Sequence, residues 1–313
     1  MILVITKNND AVTSRICYWL MYLKKEFKII SEEDEVELVD LKKESLLINN
    51  VSRDYFLNLN TVKKILYRQG DVFINRDIML KDKSHLSDFI NRERTVLHDF
   101  IYNKINEIDH FGHPQHANLN KLIVLEKAIK YNLLVPDYIY TSLKSSLISF
   151  NKNHPKIITK SILPGYYIKT ENGFYSSYTE LFSEEDIYKV DEKFYPTFFQ
   201  KLINKKFEIR AFYLNNEFYC VAIISLNNLK TQIDYRKYDK EQPNRNIPFK
   251  LPMIIQKKLK KLIKDLSLKY CSIDLIYGED QQFYFLEINP IGQFGNVSYF
   301  GNYYLEMQVA KLL

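Results

Sequence analysis

Hydrophobic and polar positions change period along this chain, and the changes mark out its elements. Ile2–Thr6 is a short, nearly continuous apolar run of the kind buried on both faces of a sheet. From Val12 to Glu26 the apolar residues Ile16, Leu20 and Leu23 recur at helical spacing. Val36–Val39 and Ile65–Tyr67 read as further strands, and a charge-rich helix is predicted over Leu86–Ile108. Strand–helix–strand alternation of this kind predicts a small α/β layer.

A second helix signal spans Asn120–Asn132, with Leu122, Leu125, Ala128 and Ile129 on one face. Leu133–Pro136 turns into a strand, Tyr138–Tyr140, and Thr141 or Ser142 is placed to cap the next helix. Lys156–Lys160 reads as a strand, and Ile162–Tyr178 as a hairpin turning at Glu171-Asn172-Gly173. Phe198–Ile203, Phe207–Leu214 and Phe218–Ser225 are β-rich, the last two joined at Asn215-Asn216. Leu226–Leu251 is polar, basic and loop-like, whereas Pro252–Leu266 is an amphipathic helix. Gly292–Asn302 reads as a loop before a terminal helix. Asp109–Asn118 is also expected to be a loop. Its His110, His113 and His116 make a metal site conceivable, but a period of three suits neither a strand face nor one helical face.

The chemistry concentrates between these last helices. Ser272–Ile276 and Phe283–Pro290 are apolar, β-branched and aromatic runs flanking the polar turn Gly278–Gln282, which predicts an antiparallel hairpin. Asp274 sits inside the first strand. Glu287 and Asn289, two apart, share a face of the second. Carboxylates among core residues are costly unless paired. A hard cation with oxygen ligands would pair them, and Mg²⁺ held jointly with substrate phosphates is the natural choice.

Composition narrows how a nucleotide could be held. Glycine occurs 8 times in 313 residues, against roughly 20 expected from average usage. Neither G-x-G-x-x-G nor a P-loop is present. The net charge of +6 permits an anionic ligand without demanding nucleic acid. Cys17, Cys220 and Cys271 lie far apart in apolar contexts and read as buried, reduced thiols of a cytoplasmic protein. The N-terminal run is too short and lacks the basic residues of a signal peptide. No run approaches a membrane span, so neither membrane nor nucleic-acid binding is expected.

The order of the parts resembles the ATP-grasp superfamily: an α/β module, a small module with basic strand residues, then an antiparallel sheet ending in D…E-x-N. Within it, Phe207-Glu208-Ile209-Arg210-Ala211-Phe212-Tyr213-Leu214 is similar to the D-I-R strand of peptide-modifying ligases such as the ribosomal-protein glutamate ligases. Ile233–Asp239, Pro243-Asn244-Arg245 and Leu286-Glu287-Ile288-Asn289-Pro290-Ile291-Gly292-Gln293-Phe294-Gly295 resemble the grasp-with-spasm peptide maturases, a branch of the graspetide (microviridin-type) macrocyclases. Asn120-Lys121-Leu122, Val135-Pro136-Asp137 and Thr141 fit the same pattern, as does Tyr67-Arg68-Gln69-Gly70, close to Y-R-R-G/P.

The resemblance implies an ATP-grasp fold of mixed α/β and α+β class. It divides the chain into an N-terminal pre-ATP-grasp α/β domain (1–115), a central subdomain (116–196) and a C-terminal subdomain with the metal site (197–313). Lys121 and Lys160 would contact phosphates, Gln200, Lys201 and Leu202 would line the adenine at a hinge, and Glu208 would reach the ribose. Arg210 would meet the transferring phosphate or the substrate carboxylate, and Arg236 and Arg245 ATP or the acceptor. Asp274, Glu287 and Asn289 would hold Mg²⁺. Strand alternation puts Glu208, Arg210 and Phe212 on one face and Phe207, Ile209, Ala211 and Tyr213 on the core side.

The activity implied is ATP-dependent ligation. A side-chain carboxylate of a ribosomal precursor peptide, leader plus core, becomes an acyl-phosphate, and an intramolecular ester or amide follows. ATP and Mg²⁺ are the implied cofactors, and a homodimer is expected. Two other readings stand beside this one: an intermolecular ligase adding an amino acid, and a basic binding module for nucleic acid or an acidic partner. Two departures from the pattern bear on it. The segment 161–178, where a Gly/Ser-rich phosphate-covering loop is usual, has only Gly165 and Gly173, and Gln69 replaces the second Arg of Y-R-R, so no catalytic role is given there.

Overall fold

The computed structural model describes residues 1–43, 45–74, 85–112, 119–163, 167–170, 173–176, 178–225, 233 and 244–313. The chain begins β1 (Ile2–Thr6), α1 (Ala11–Tyr22), β2 (Phe27–Ser31), β3 (Val36–Lys42), β4 (Ser45–Asn50), β5 (Tyr55–Asn58), β6 (Lys64–Tyr67), α2 (His85–Glu107) and β7 (Asp109–Phe111). It continues through α3 (Lys121–Lys130), β8 (Tyr138–Leu143), α4 (Lys144–Asn153), β9 (Ile157–Thr159), β10 (Tyr167–Thr170), β11 (Gly173–Ser176), β12 (Glu180–Phe182) and α5 (Glu184–Lys189). Then come β13 (Lys193–Lys201), β14 (Lys205–Leu214), β15 (Glu217–Ile224), β16 (Arg245–Phe249), α6 (Met253–Asp265), β17 (Tyr270–Gly278), β18 (Phe283–Asn289), α7 (Gly295–Gly301) and α8 (Leu305–Leu312). These pack into two units, one of Met1–Ala117 with Pro290–Ser298 and Tyr304–Leu313, the other of Asn118–Asn289 with Tyr299–Tyr303.

In the first unit β2-β1-β6-β7 form a parallel sheet. Every residue of β1 is buried because it has a strand on each side, which is why its sequence is nearly all apolar. Asp10 caps α1, its carboxylate accepting from the Val12 N–H. The helix stops at Tyr22, short of the Glu26 expected from spacing, because Lys24 turns left-handed (φ 54°) and the chain enters β2. A three-stranded antiparallel sheet, β3-β4-β5, completes the unit, with Leu3, Ile5, Ile30, Ile48, Leu57, Ile65, Ile101 and Ile105 among its core. β2, β4 and β5 are short and carry interspersed polar residues, so the sequence pattern missed them. The expected His loop opens with a strand, β7, held by pairing with β6.

Two antiparallel sheets build the second unit, β12-β9-β13-β8 and β16-β15-β14-β17-β18, with the β10-β11 hairpin separate. Thr170 pairs with Gly173, so Gly173 starts β11, and the predicted turn residues Glu171 and Asn172 lie outside the described residues. Asn215 and Asn216, both at positive φ, make the tight turn between β14 and β15. Thr141 and Ser142 do not cap α4. Both are still in β8, and Leu143 occupies the cap position without a side-chain bond. The loop expected at Leu226–Leu251 ends in the edge strand β16, and part of the Gly292–Asn302 loop is α7. The buried face of α3 is Val124, Leu125 and Ala128, while Ile129 is half exposed. That face and α6 share one core with Ile209, Ala211, Ile273, Leu275, Phe285 and Ile288. No helix among the described residues is long and apolar enough to cross a membrane.

Candidate functional site

The hairpin expected from sequence is present, and its register assembles the candidate site. β17 pairs antiparallel with β18, placing Asp274 opposite Glu287 and Ser272 opposite Asn289. On its other side β17 pairs with β14, which sets Arg210 opposite Asp274. Residues directly opposite in a sheet share a face, so Glu287, Asp274 and Arg210 form one row across three strands. A bulge at Leu286 re-aims the end of β18 and leaves Glu287 and Asn289 two apart on that face. The opposite face carries Ile209, Ala211, Ile273, Leu275 and Ile288 into the core, as the alternation predicts.

Lys121 comes to this row from the first turn of α3. The side chain of Asn120 caps the helix by accepting from the Leu122 and Ile123 N–H groups. Past the helix, the Phe285 N–H donates to the Leu134 carbonyl at 2.7 Å and locks this segment onto β18. Lys121 Nζ then donates to Glu287 Oε2 at 2.7 Å. The Arg210 guanidinium pairs with Asp274 Oδ2 in the same row. Lys160, immediately after β9, lies 5.8 Å from the Phe198 ring centroid and acts electrostatically on Glu287.

The two carboxylates respond oppositely. Burial pushes the Asp274 carboxyl above its ordinary range, opposed by Arg210 and reinforced by the neighbouring Glu287. Burial acts the same way on Glu287, but the ammoniums of Lys121 and Lys160 outweigh it and hold its carboxyl well below the usual range. Glu287 keeps 39% of its side chain exposed, against 14% for Asp274. One face of the pair therefore stays open to a ligand.

No three His, Cys, Asp or Glu side chains gather into a metal cluster among the described residues. What the row offers is two carboxylates directly opposite each other and, two residues further along the ladder on the same face, the Asn289 amide. Mg²⁺ takes one or two carboxylates and completes its shell with water and phosphate oxygens, so this donor set fits it. The repulsion between two adjacent, partly enclosed carboxylates is what a divalent cation relieves.

The remaining sequence candidates are placed as follows. Glu208 is buried on the Arg210 face and ion-paired with Lys205. Sequence reasoning did not single out Lys205. A register shift between Lys205 and Phe207 sets it beside Glu208, a signal absent from residue spacing. Gln200 is fully buried, its amide 3.4 Å from the Pro136 carbonyl and its Oε1 without a hydrogen-bond partner. The Lys201 N–H donates to the Asp137 carbonyl and the Leu202 N–H to the Lys156 carbonyl. A backbone contact from either residue to a base would therefore fall to its carbonyl. Arg245 opens β16, exposed, in register with Ile224 and so on the parity of Phe207 rather than Arg210. Arg236, His113 and His116 lie outside the described residues. His110 is in β7, its Nδ1 2.8 Å from the Ile108 carbonyl.

Arg68 was left without a role by its sequence and proves central to the first unit. Only 2% exposed, it donates to the carbonyls of Ile291 at 2.6 Å and Gly292 at 2.7 Å and covers the Phe294 ring. Gly70 follows at φ 82°, where a Cβ would stand 2.4 Å from the Thr6 carbonyl oxygen, so only glycine fits.

No family model matches the chain, and no curated protein matches it. Solved structures do match along its full length. The macrocyclase MdnC of Microcystis aeruginosa MRC, bound with precursor peptide MdnA, is 20% identical with a TM-score of 0.79, covering 100% of this chain and 99% of that one. A Chryseobacterium gregarium RiPP-associated ATP-grasp ligase, in complex with ADP and a leader and core peptide, is 20% identical with a TM-score of 0.80, covering 100% and 96%. The ATP-grasp ligase PsnB, complexed with a phosphomimetic variant of a minimal precursor, Mg and ADP, is 17% identical with a TM-score of 0.73, covering 99% and 96%. The chain has the ATP-grasp fold of these enzymes.

Proposed function

We propose that this protein is an ATP-dependent carboxylate ligase that crosslinks acidic side chains of a ribosomally made precursor peptide, through esters or amides, within the same peptide. The observation that carries the reading is the Glu287–Asp274–Arg210 row, two opposed carboxylates flanked by Lys121, Arg210 and Lys160. The full-length likeness to ligases solved with precursor peptides supports it. ADP in one of those structures and Mg with ADP in another support ATP and Mg²⁺ as this chain's cofactors.

In this reading a substrate carboxylate attacks the γ-phosphate of ATP and ADP leaves. A hydroxyl or amine of the same peptide then attacks the acyl-phosphate carbonyl, gives up its proton and expels phosphate. The first step sets an anion against a polyanion, and the barrier is chiefly electrostatic. Lys121 and Lys160 neutralise phosphate oxygens as compact point charges. Arg210, a planar fork, orients the attacking carboxylate or the transferring phosphate. Bound at Asp274, Glu287 and Asn289, Mg²⁺ supplies further charge neutralisation. Gln200, Lys201 and Leu202 border the adenine, Glu208 reaches the ribose, and Arg236 meets ATP or the acceptor; Arg245, on the sheet face opposite Arg210, is not given that role. The boundaries at 115/116 and 196/197, with Pro290–Ser298 and Tyr304–Leu313 going to the first unit, a cytoplasmic location and a homodimer belong to the same proposal. The homodimer draws support from α2, where Leu86, Phe89, Val96 and Phe100 stay exposed at near-heptad spacing.

Incubation with ATP, Mg²⁺ and a short acidic, Thr/Ser-rich candidate precursor peptide tests the activity by mass spectrometry. One water should be lost per ring. A mass gain would indicate the intermolecular ligase instead, and an unchanged mass with leader binding intact would refute crosslinking. Glu287→Gln and Asp274→Asn should each abolish turnover, and full activity in either would remove the metal assignment.

A further inference from the structure

We infer that Lys121 and Arg210 are exchangeable counter-ions, holding Glu287 and Asp274 while the site lacks nucleotide and moving to the phosphates when it arrives, so that metal and nucleotide each strengthen the binding of the other. The inference rests on the ligase reading above and goes beyond it, since that reading does not say what occupies the carboxylates beforehand.

Four observations carry it. Each carboxylate of the row already has a cation on it: Lys121 Nζ lies 2.7 Å from Glu287 and the Arg210 guanidinium is on Asp274. Arg210 and Asp274 are 12% and 14% exposed, so that pair is little screened by solvent, whereas Glu287, at 39%, leaves the Lys121 pair open on one side. Lys160 adds a third positive charge acting on Glu287, so three cationic groups face two carboxylates. Finally, Lys121 reaches the row from a helix end on a flexible four-carbon stem, and its ammonium can swing while its Cα stays fixed.

Charge bookkeeping then sets the order of binding. A divalent cation alone must displace an ammonium and adds positive charge to a site that already has an excess. A triphosphate alone draws Lys121 and Arg210 away and leaves two adjacent carboxylates facing it uncompensated, which buried groups do not tolerate. With both ligands present, the metal takes the carboxylates and the phosphates take the cations, and every charge is paired. Each ligand removes the competitor of the other, and the coupling is reciprocal.

The test uses the whole chain, with Mn²⁺ as the metal probe, protein-bound ion separated by ultrafiltration from free and analogue-chelated ion and counted by EPR, and a non-hydrolysable ATP analogue followed by calorimetry. Wild-type protein should bind Mn²⁺ weakly alone and at least about tenfold more tightly with the analogue. Lys121→Met should tighten Mn²⁺ binding without nucleotide by about tenfold while weakening the analogue, opposite signs that a merely structural lysine would not produce. Glu287→Gln frees Lys121, and should tighten the analogue in the presence of EDTA. Unfolding curves for both variants establish that they fold, and Lys121→Ala replaces Lys121→Met if that variant does not. Lys121→Met protein that binds Mn²⁺ no more tightly than wild type overturns the inference while leaving the ligase reading intact. Wild-type protein that binds no Mn²⁺ even with the analogue removes the ligase reading and the inference together.

Discussion

Asp274 and Glu287 are both acidic residues in strands, yet their carboxyls move in opposite directions. Identity does not explain this; neighbours do. Asp274 is the more enclosed and has Glu287 against it, whereas Glu287 has two ammoniums and an open side. Arg68 makes a similar point in the first unit, where its worth comes from two carbonyls far away in sequence. Replacing it with Met should lower stability by about 3–5 kcal/mol, because Asp10 and both carbonyls lose their buried partner. A thermal midpoint within a degree of wild type would contradict that role. The thiols are a residue-scale matter as well: burial raises Cys17 to about 11 and Cys220 to about 12, so neither is poised to react.

At the scale of elements, one carboxylate ties several segments of the first unit together. Asp34 accepts from the Ser31 N–H and the Asn50 amide, both at 2.9 Å, and pairs with Arg53 Nε at 2.6 Å, tying β2, β4 and the turn after β4. Burial opposes its ionisation, but these partners together hold its pKa below the ordinary 3.8. A depressed carboxylate contributes stability that is present above the unfolded value and lost as pH falls through the folded one. The first unit should therefore weaken below about pH 4, and Asp34→Asn should flatten that dependence in acid unfolding curves. On α2, an antiparallel copy of the helix would set Phe89 near Phe100 and Arg92 near Asp99 of its partner. Arg92→Glu should weaken the proposed dimer and Arg92→Glu with Asp99→Arg should restore it in sedimentation. A mass independent of both changes would argue against this face.

The whole molecule is not assembled in the order of its sequence. α8, the last element, belongs to the same unit as α1, with Leu305, Val309 and Ala310 buried. Lys25 Nζ also donates to the Lys311 carbonyl at 2.9 Å. Removing residues 304–313 should therefore raise amide exchange in β1 and α1, while β14 and β17 stay protected. Exchange confined to the C-terminal stump would show that the first unit stands without α8.

The sequence by itself determined the strands and helices whose patterns are long or pure, such as β1, α2, α6 and the β17–β18 hairpin, because burial on one or two faces dictates period and composition. It also determined that Glu287 and Asn289 share a face and that Asp274 lies in the facing strand, since strand alternation is local. Short polar-containing strands such as β4, β5 and β16 were illegible, because pairing with a neighbour, not their own hydrophobicity, makes them strands. The registry of β14, the bulge at Leu286, the arrival of Lys121 at Glu287 and the pairing of Lys205 with Glu208 were decided only in three dimensions. Distances between elements depend on packing and on single-residue register shifts, and neither leaves a trace in residue spacing.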